Sequence, residues 1–264
     1  MNQVGVIGAG VMGEALIAAL ISYGTAPGSI TISEKRKDRA DELRARYGIK
    51  VEDVATNVSK AEALLLVVKP QDMAAVLDEI KGSINKSAVV ITFAAGKKIS
   101  FIEQGLGTGN PVVRVMPNTP TLVGAGMAAA SMGAGVTDAQ KGFVLGFLGA
   151  TGKVIEVAEE LQDAVTATSG SGPAYFFAFV EAMVAGAKEL GLSDADATTL
   201  TVQTIVGAAK LLDQSGKSAT ILRVNVTSPN GTTAAALASF GVSDLNSMVA
   251  KAMKAARDRS QELA

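Results

Sequence analysis

The sequence predicts an α/β fold, a doubly wound parallel sheet, followed by an all-helical C-terminal part. Three observations predict it. Short apolar runs rich in β-branched residues alternate with helical stretches from Val4 onward. A turn dense in glycine, Gly8 to Gly13, joins the first such run to the first helix. After about residue 160 the strand candidates stop and helical spacing takes over.

The elements follow in order. Val4–Gly8 reads as a strand that stops at glycine, and Val11–Tyr23 has helical spacing of its apolar positions. Ser29–Ser33 reads as the second strand, and Arg36–Tyr47 as a charged amphipathic helix closed by Gly48. Ile49–Val51 is a short third strand. Ala63–Val68 is a fully apolar fourth strand stopped by Pro70, and Gln71–Ile80 is a helix. Ala88–Phe93 is the fifth strand, with a helix from Ile99, and Pro111–Met116 is the sixth. Fully apolar strands belong to a sheet covered on both faces. Lys153–Val157 is the last strand candidate. Asp163–Thr168, Ala174–Leu190, Ala195–Leu212, Thr232–Phe240 and Ser243–Leu263 then read as helices, Ser243 being the expected N-cap of the last. The domain boundary falls near residues 157–162.

Composition excludes whole classes of chemistry. The 264 residues contain no Cys, His or Trp, so disulfides, thiolate chemistry, Cys or His metal sites and imidazole bases are absent. No metal is expected. Net charge is −1 and aromatics make up 4%, which gives neither the field nor the stacking rings of a nucleic-acid binder. Mean hydropathy is +0.32, yet no apolar run approaches the roughly 20 residues of a spanning helix. No signal peptide is evident. A soluble cytoplasmic protein without membrane or nucleic-acid partners is expected. The helical part is rich in Ala and Gly and would bury a thin core alone, so packing on a second subunit is expected.

Gly8-Ala9-Gly10-Val11-Met12-Gly13 fits G-x-G-x-x-G after a strand and at the start of a helix. One glycine allows the tight turn, the second lets backbone approach a pyrophosphate, and the third lets helix and strand pack closely. The helix N-terminus faces the anion. Glu34, at the end of the second strand, holds the acidic position that binds ribose hydroxyls in NAD sites. Ser33, Lys35, Arg36 and Arg39 surround it and could hold a 2′-phosphate, or simply form a solvated face with Asp38, Asp41 and Glu42. These residues leave NAD and NADP both open.

Three later strand ends carry small or polar residues: Val68-Lys69-Pro70, Ala94-Ala95-Gly96 and Met116-Pro117-Asn118-Thr119-Pro120. In a doubly wound sheet, ligands sit outside the carboxyl ends of the strands. The helical part adds two polar glycine stretches. Thr166–Tyr175 lies between helices, and Val226–Thr233 precedes the helix from Ala234. The second offers free N–H groups and hydroxyls to a small carboxylate, although Ser and Thr there could equally cap the helix.

In this order and over essentially the whole chain, these motifs resemble the pyrroline-5-carboxylate reductase family. Ser169-Gly170-Ser171-Gly172-Pro173-Ala174-Tyr175 and Thr227-Ser228-Pro229-Asn230-Gly231-Thr232-Thr233 are its most specific signatures. The resemblance implies a Rossmann-type NAD(P)-binding domain over residues 1–158 and a helical substrate-binding and dimerisation domain over 159–264. It implies reduction of 1-pyrroline-5-carboxylate to L-proline with NADPH, NADH being the alternative, in dimers or decamers. By resemblance, Gly8, Gly10, Val11 and Met12 line the pyrophosphate, and Ser33 or Lys35 and Asn57 reach the adenosine half. Val68, Lys69, Pro70, Ala95, Gly96 and Asn118 contact the nicotinamide half, with Asn225 from the neighbouring subunit. Ser228, Gly231, Thr232 and Thr233 hold the substrate carboxylate, the catalytic Thr233 hydroxyl faces the imine nitrogen, and Glu159 lies near the substrate. The family usually has two glycines where this chain has Asn230-Gly231, a change Asn accommodates through its tolerance of left-handed angles. Lys217 is followed by Ser218 where the family often has proline, which leaves the path of residues 213–222 open.

Imine reduction suits a chain without histidine. A protonated imine accepts hydride directly, so the enzyme chiefly positions two carbons. Ketone reduction needs a firm acid at the oxygen. A β-hydroxyacid dehydrogenase would carry a lysine on the helix after the second glycine motif, whereas this chain has Tyr175-Phe176-Phe177-Ala178-Phe179 and no lysine until Lys188. A non-catalytic dinucleotide sensor would not need the Ser228–Thr233 stretch.

Overall fold

The structure is a computed structural model that describes residues 1–263. By contact the chain divides into two compact units. Met1–Pro173 and the C-terminal residues from Ala255 form one, and Ala174–Lys254 form the other.

The first unit is built on an eight-stranded sheet: β1 (Val4–Ile7), β2 (Ile30–Ser33), β3 (Lys50–Val51), β4 (Ala63–Leu66), β5 (Val89–Thr92), β6 (Val112–Met116), β7 (Gly126–Met132) and β8 (Gly152–Glu156). Its order is β3-β2-β1-β4-β5-β6-β7-β8. The chain leaves β1 for β2 on one side and reaches β4 on the other, in register Val4↔Ile30 and Val4↔Ala63. The crevice at the carboxyl ends of β1 and β4 is therefore the switch point where such sheets bind ligands.

Both faces are covered, as the apolar strands require. On one face α1 (Val11–Ser22), α2 (Lys37–Tyr47) and α6 (Asp138–Gly149) bury Leu16, Ile17, Leu20, Leu43 and Phe147 against the sheet. On the other, α3 (Val54–Lys60), α4 (Met73–Ile80) and α5 (Ile99–Leu106) contribute Val58, Met73, Leu77, Ile80 and Ile102. Each of these large side chains stabilises the fold by roughly 1.5–3 kcal/mol on burial.

The structure departs from the expected parallel sheet at β7, which pairs antiparallel with β6, while β8 runs parallel to β7. β7 and two helices of this unit carry no clear signal in the sequence. β7 is Gly-Met-Ala-Ala-Ala-Ser-Met, poor in β-formers, and it is a strand because Ala128, Ala129 and Ala130 are buried between two neighbours. α3 is short and is started by Asp53, whose carboxylate accepts from Thr56 N–H at 2.9 Å. α6 is interrupted by glycines but opens with a capping box between Thr137 and Gln140. Its Gly146 makes room for the Tyr23 ring, whose Cε2 lies 2.4 Å from where a Cβ would stand.

Residues 166–175 are not a link between helices, as expected from their glycines. α7 (Gln162–Val165) continues through a π turn, Thr166–Gly170, into α8 (Gly172–Glu189). The hydroxyls of Thr166, Thr168 and Ser169 donate back to the carbonyls of Gln162, Ala164 and Val165, so they satisfy the helix from within instead of capping it.

The second unit contains α8 from Ala174, α9 (Asp194–Gln214), α10 (Ala219–Asn225), α11 (Thr232–Val242) and the first part of α12 (Leu245–Glu262). Residues 213–222 form the end of α9, a turn and the start of α10, which is capped by Ser218. Ser243 does not cap α12. Asp244, in the left-handed region at φ 49°, accepts from Ser247 N–H instead. Among the described residues of this unit only Ala197 and Thr201 are buried, while Phe176, Phe177 and Val242 are 65%, 62% and 90% exposed. Among the described residues no helix is long and apolar enough to cross a membrane.

Candidate active site

The glycine turn after β1 divides its three roles among three atoms. Gly8 adopts φ +87°, and a Cβ there would stand 2.6 Å from the Val67 carbonyl at the end of β4. A Cβ on Gly13 would stand 2.5 Å from the Gly8 carbonyl, so its absence lets α1 close on the turn. A Cβ on Gly10 would meet nothing within 4 Å. The third space is therefore left for a ligand, at the N-terminus of α1, which has no side-chain cap. Val11 is exposed and Met12 half-buried beside it.

A cleft of about 610 Å³ opens there. Gly8, Gly10, Ser33, Lys35, Val68 and Lys69 line it, as the sequence predicts. Glu52, Asp53, Asp72 and Glu79 line it too and were not expected. Glu34 completes the wall. Its carboxylate accepts from Ala9 N–H at 2.8 Å and from its neighbour Arg36 N–H at 3.0 Å. Arg39 reaches behind the turn and donates from Nε to the Ala9 carbonyl at 3.2 Å. Its terminal nitrogens pair with Glu14 and with Glu42. Burial opposes the charge on Glu14, but hydrogen bonds from Arg39 and Tyr47 outweigh it and hold the carboxyl below the ordinary carboxylate value.

Asn57 is 1% exposed and reaches the cleft only through Ser33. Its amide donates to Ser33 Oγ at 3.0 Å, while Ser33 donates to the Glu52 carbonyl at 3.0 Å. Pro70 starts the short turn after Lys69 and is half-buried.

The other two strand ends hold protein partners. Ala95 is half-buried. At Gly96, φ +76°, a Cβ would stand 2.7 Å from the Ser260 carbonyl and 2.8 Å from Leu263 Cβ. The room that glycine makes at 96 is thus taken by the end of the chain. Asn118 is 8% exposed, accepts from Met127 N–H at 2.8 Å and donates to the Ser169 carbonyl at 3.1 Å. It ties the turn after β6 to the π turn.

Glu159 stands half-buried at the edge of this unit and accepts from Ile99 N–H at 2.7 Å. Arg114, 4% exposed, faces Glu159 at 3.5 Å and Asp163 at 3.3 Å. Ser260 donates to the same Asp163 oxygen at 2.7 Å. Arg114, Asp163 and Ser260 brace Glu159, yet no spacing in the sequence links them.

The second unit carries the remaining predicted residues. Asn225 is exposed at the end of α10. The chain then turns through Asn230, at φ 58°, the left-handed angle expected of it. Gly231 precedes α11 with no side-chain cap, and a Cβ there would stand 2.3 Å from Ser228 Oγ. The hydroxyls of Ser228, Thr232 and Thr233 have no hydrogen-bond partner among the described residues. Uncapped N–H groups with free hydroxyls make a seat for a small anion. Among the described residues no group of His, Cys, Asp or Glu could hold a metal ion.

Known proteins resemble this chain along its whole length. Residues 159–263 match the family described as pyrroline-5-carboxylate reductase dimerisation. Residues 3–96 match NADP oxidoreductase coenzyme F420-dependent. A pyrroline-5-carboxylate reductase of Corynebacterium melassecola is 42% identical, with 100% of this chain and 99% of that one covered. The chain belongs to the pyrroline-5-carboxylate reductase family. The structure of the Coxiella burnetii pyrroline-5-carboxylate reductase superposes with a TM-score of 0.91 at 34% identity, over 100% of this chain and 98% of that one. A Plasmodium falciparum pyrroline carboxylate reductase, solved with NADP bound, gives 0.89 at 28% identity, over 99% and 98%.

Proposed function

We infer that this chain is a pyrroline-5-carboxylate reductase, an NAD(P)H-dependent oxidoreductase that reduces the C=N bond of 1-pyrroline-5-carboxylate to give L-proline, the last step of proline biosynthesis. The turn Ser228–Thr233 carries this reading, because a dinucleotide cleft alone would fit many reductases. Its uncapped helix start and three hydroxyls match a small cyclic carboxylate.

The vacant space beside Gly10 and the N-terminus of α1 fit a pyrophosphate. The bound coenzyme supplies the hydride. Gly8, Gly10, Val11 and Met12 hold its pyrophosphate, and Ser33, kept in place by Asn57, stands at the adenosine half with Lys35. Val68, Lys69, Pro70 and Ala95, with the turns at Gly96 and Asn118, shape the nicotinamide half, and Asn225 contributes from the neighbouring subunit. Ser228, Gly231, Thr232 and Thr233 orient the substrate carboxylate. The Thr233 hydroxyl places a proton at the imine nitrogen, and Glu159 stands near the ring. Orienting two reactants in this way lowers a barrier by roughly 7–11 kcal/mol, so no imidazole is required.

The dimerisation match and the bare apolar helices support a homodimer, with the decamer as a larger assembly of it. The cytoplasm is the proposed compartment. The division of labour is residues 1–158 for the coenzyme and 159–264 for substrate and dimerisation.

The test is loss of NADPH or NADH absorbance with and without pyrroline-5-carboxylate. Substrate-dependent oxidation is expected. Thr233→Ala is expected to lower turnover at least about tenfold, or 1.4 kcal/mol, with coenzyme affinity unchanged. Absence of oxidation by wild-type protein that binds coenzyme would overturn the reading.

A further inference from the structure

We propose that Glu34 makes NADH, and not NADPH, the preferred coenzyme of this chain. The inference rests on the reading of the cleft as a dinucleotide site. The two coenzymes differ only in a phosphate on the adenosine 2′-hydroxyl, so the choice is made at the carboxyl end of β2.

Four observations there point one way. The Glu34 carboxylate is fixed by Ala9 N–H and Arg36 N–H, at 2.8 and 3.0 Å, and keeps lone pairs free for hydroxyl donors. Ser33 spends its hydroxyl proton on the Glu52 carbonyl and has none for a phosphate. Arg39, one of the two guanidinium groups near this strand end, is already engaged by Glu14, Glu42 and the Ala9 carbonyl. The cleft itself is acidic: Glu34, Glu52, Asp53, Asp72 and Glu79 line it against only Lys35 and Lys69. A ribose diol is a pair of donors and suits this wall. A phosphate monoester brings a charge of about −1.5 to −2 and would sit among carboxylates, with Lys35 on the wall and exposed Arg36 beside Glu34 as the cations against it.

Fluorescence titration of the full-length protein with NADH and with NADPH tests this without any substrate. Wild-type protein is expected to bind NADH at least about tenfold more tightly than NADPH. Glu34→Asn is expected to weaken NADH and to bring NADPH to parity or beyond. Lys35→Ala is expected to weaken NADPH more than it weakens NADH, widening the preference. Wild-type protein that binds NADPH as tightly as NADH overturns the proposal, whether or not the variants fold. So does an equal effect of Glu34→Asn on both coenzymes. Binding of neither coenzyme overturns the dinucleotide reading itself, and the proposal with it.

Discussion

Gly10 and Gly13 stand three residues apart in one turn and should fail differently. At Gly13 a Cβ meets the Gly8 carbonyl at 2.5 Å, so Gly13→Val strains the fold itself, at about 1–3 kcal/mol. At Gly10 a Cβ meets nothing, so Gly10→Val should leave the melting temperature nearly unchanged and abolish dinucleotide binding. A thermal melt and a coenzyme titration on each variant separate the two, and retained affinity in Gly10→Val would remove it from the site. The sequence made both glycines and Glu34 legible because their spacing is local and each does a known job in a strand–turn–helix unit. It could not reveal Arg114, Asp163 and Ser260 as a group, since Ser260 meets Asp163 across 97 positions. Asn57 is an intermediate case: its place near the cleft was legible, but its burial behind Ser33 was not.

Among the elements, strands with strong apolar runs are legible in the sequence, whereas the alanine-built β7 is not. β4 and β5 are strands by composition, whereas β7 is a strand by position, between β6 and β8. The hydroxyls of Thr166, Thr168 and Ser169, in a stretch whose glycines suggest a link between helices, donate backward within a π turn that extends α7. The last turns of α12 show how an element can be held by few atoms. Ser260 is 2% exposed and links α12 to Asp163 through one hydroxyl. Ser260→Ala should lower stability by about 1.5–3 kcal/mol, the range for a hydrogen bond to a charged partner. Calorimetry would read this as a lower melting temperature, and an unchanged one would show that the hydroxyl contributes nothing.

At the scale of the whole molecule, the second unit has too little interior to stand alone. The thin core was legible from its Ala and Gly content, and its long helices from their spacing. The identity of the covering surface was not, because exposed Phe176 and Phe177 look like core residues in a sequence. If these faces join two subunits, Phe176→Glu should weaken self-association at least about thirtyfold, the 2 kcal/mol of an interface hot spot. Sedimentation over a dilution series would show monomer appearing at higher concentration than in wild type. Equal association in both proteins would place the interface elsewhere.

The first unit is also interrupted in the chain, and this affects the time course of synthesis. Gly96 meets Ser260 and Leu263, and Asp163 gains the Ser260 hydroxyl beside Arg114, only after the 81 residues from Ala174 to Lys254 have been made. At roughly 5–20 residues per second, that delay is about 4–16 s. Throughout it, a nearly finished sheet domain emerges with one notch unfilled. The notch fills only once Ser260 and Leu263 have been made.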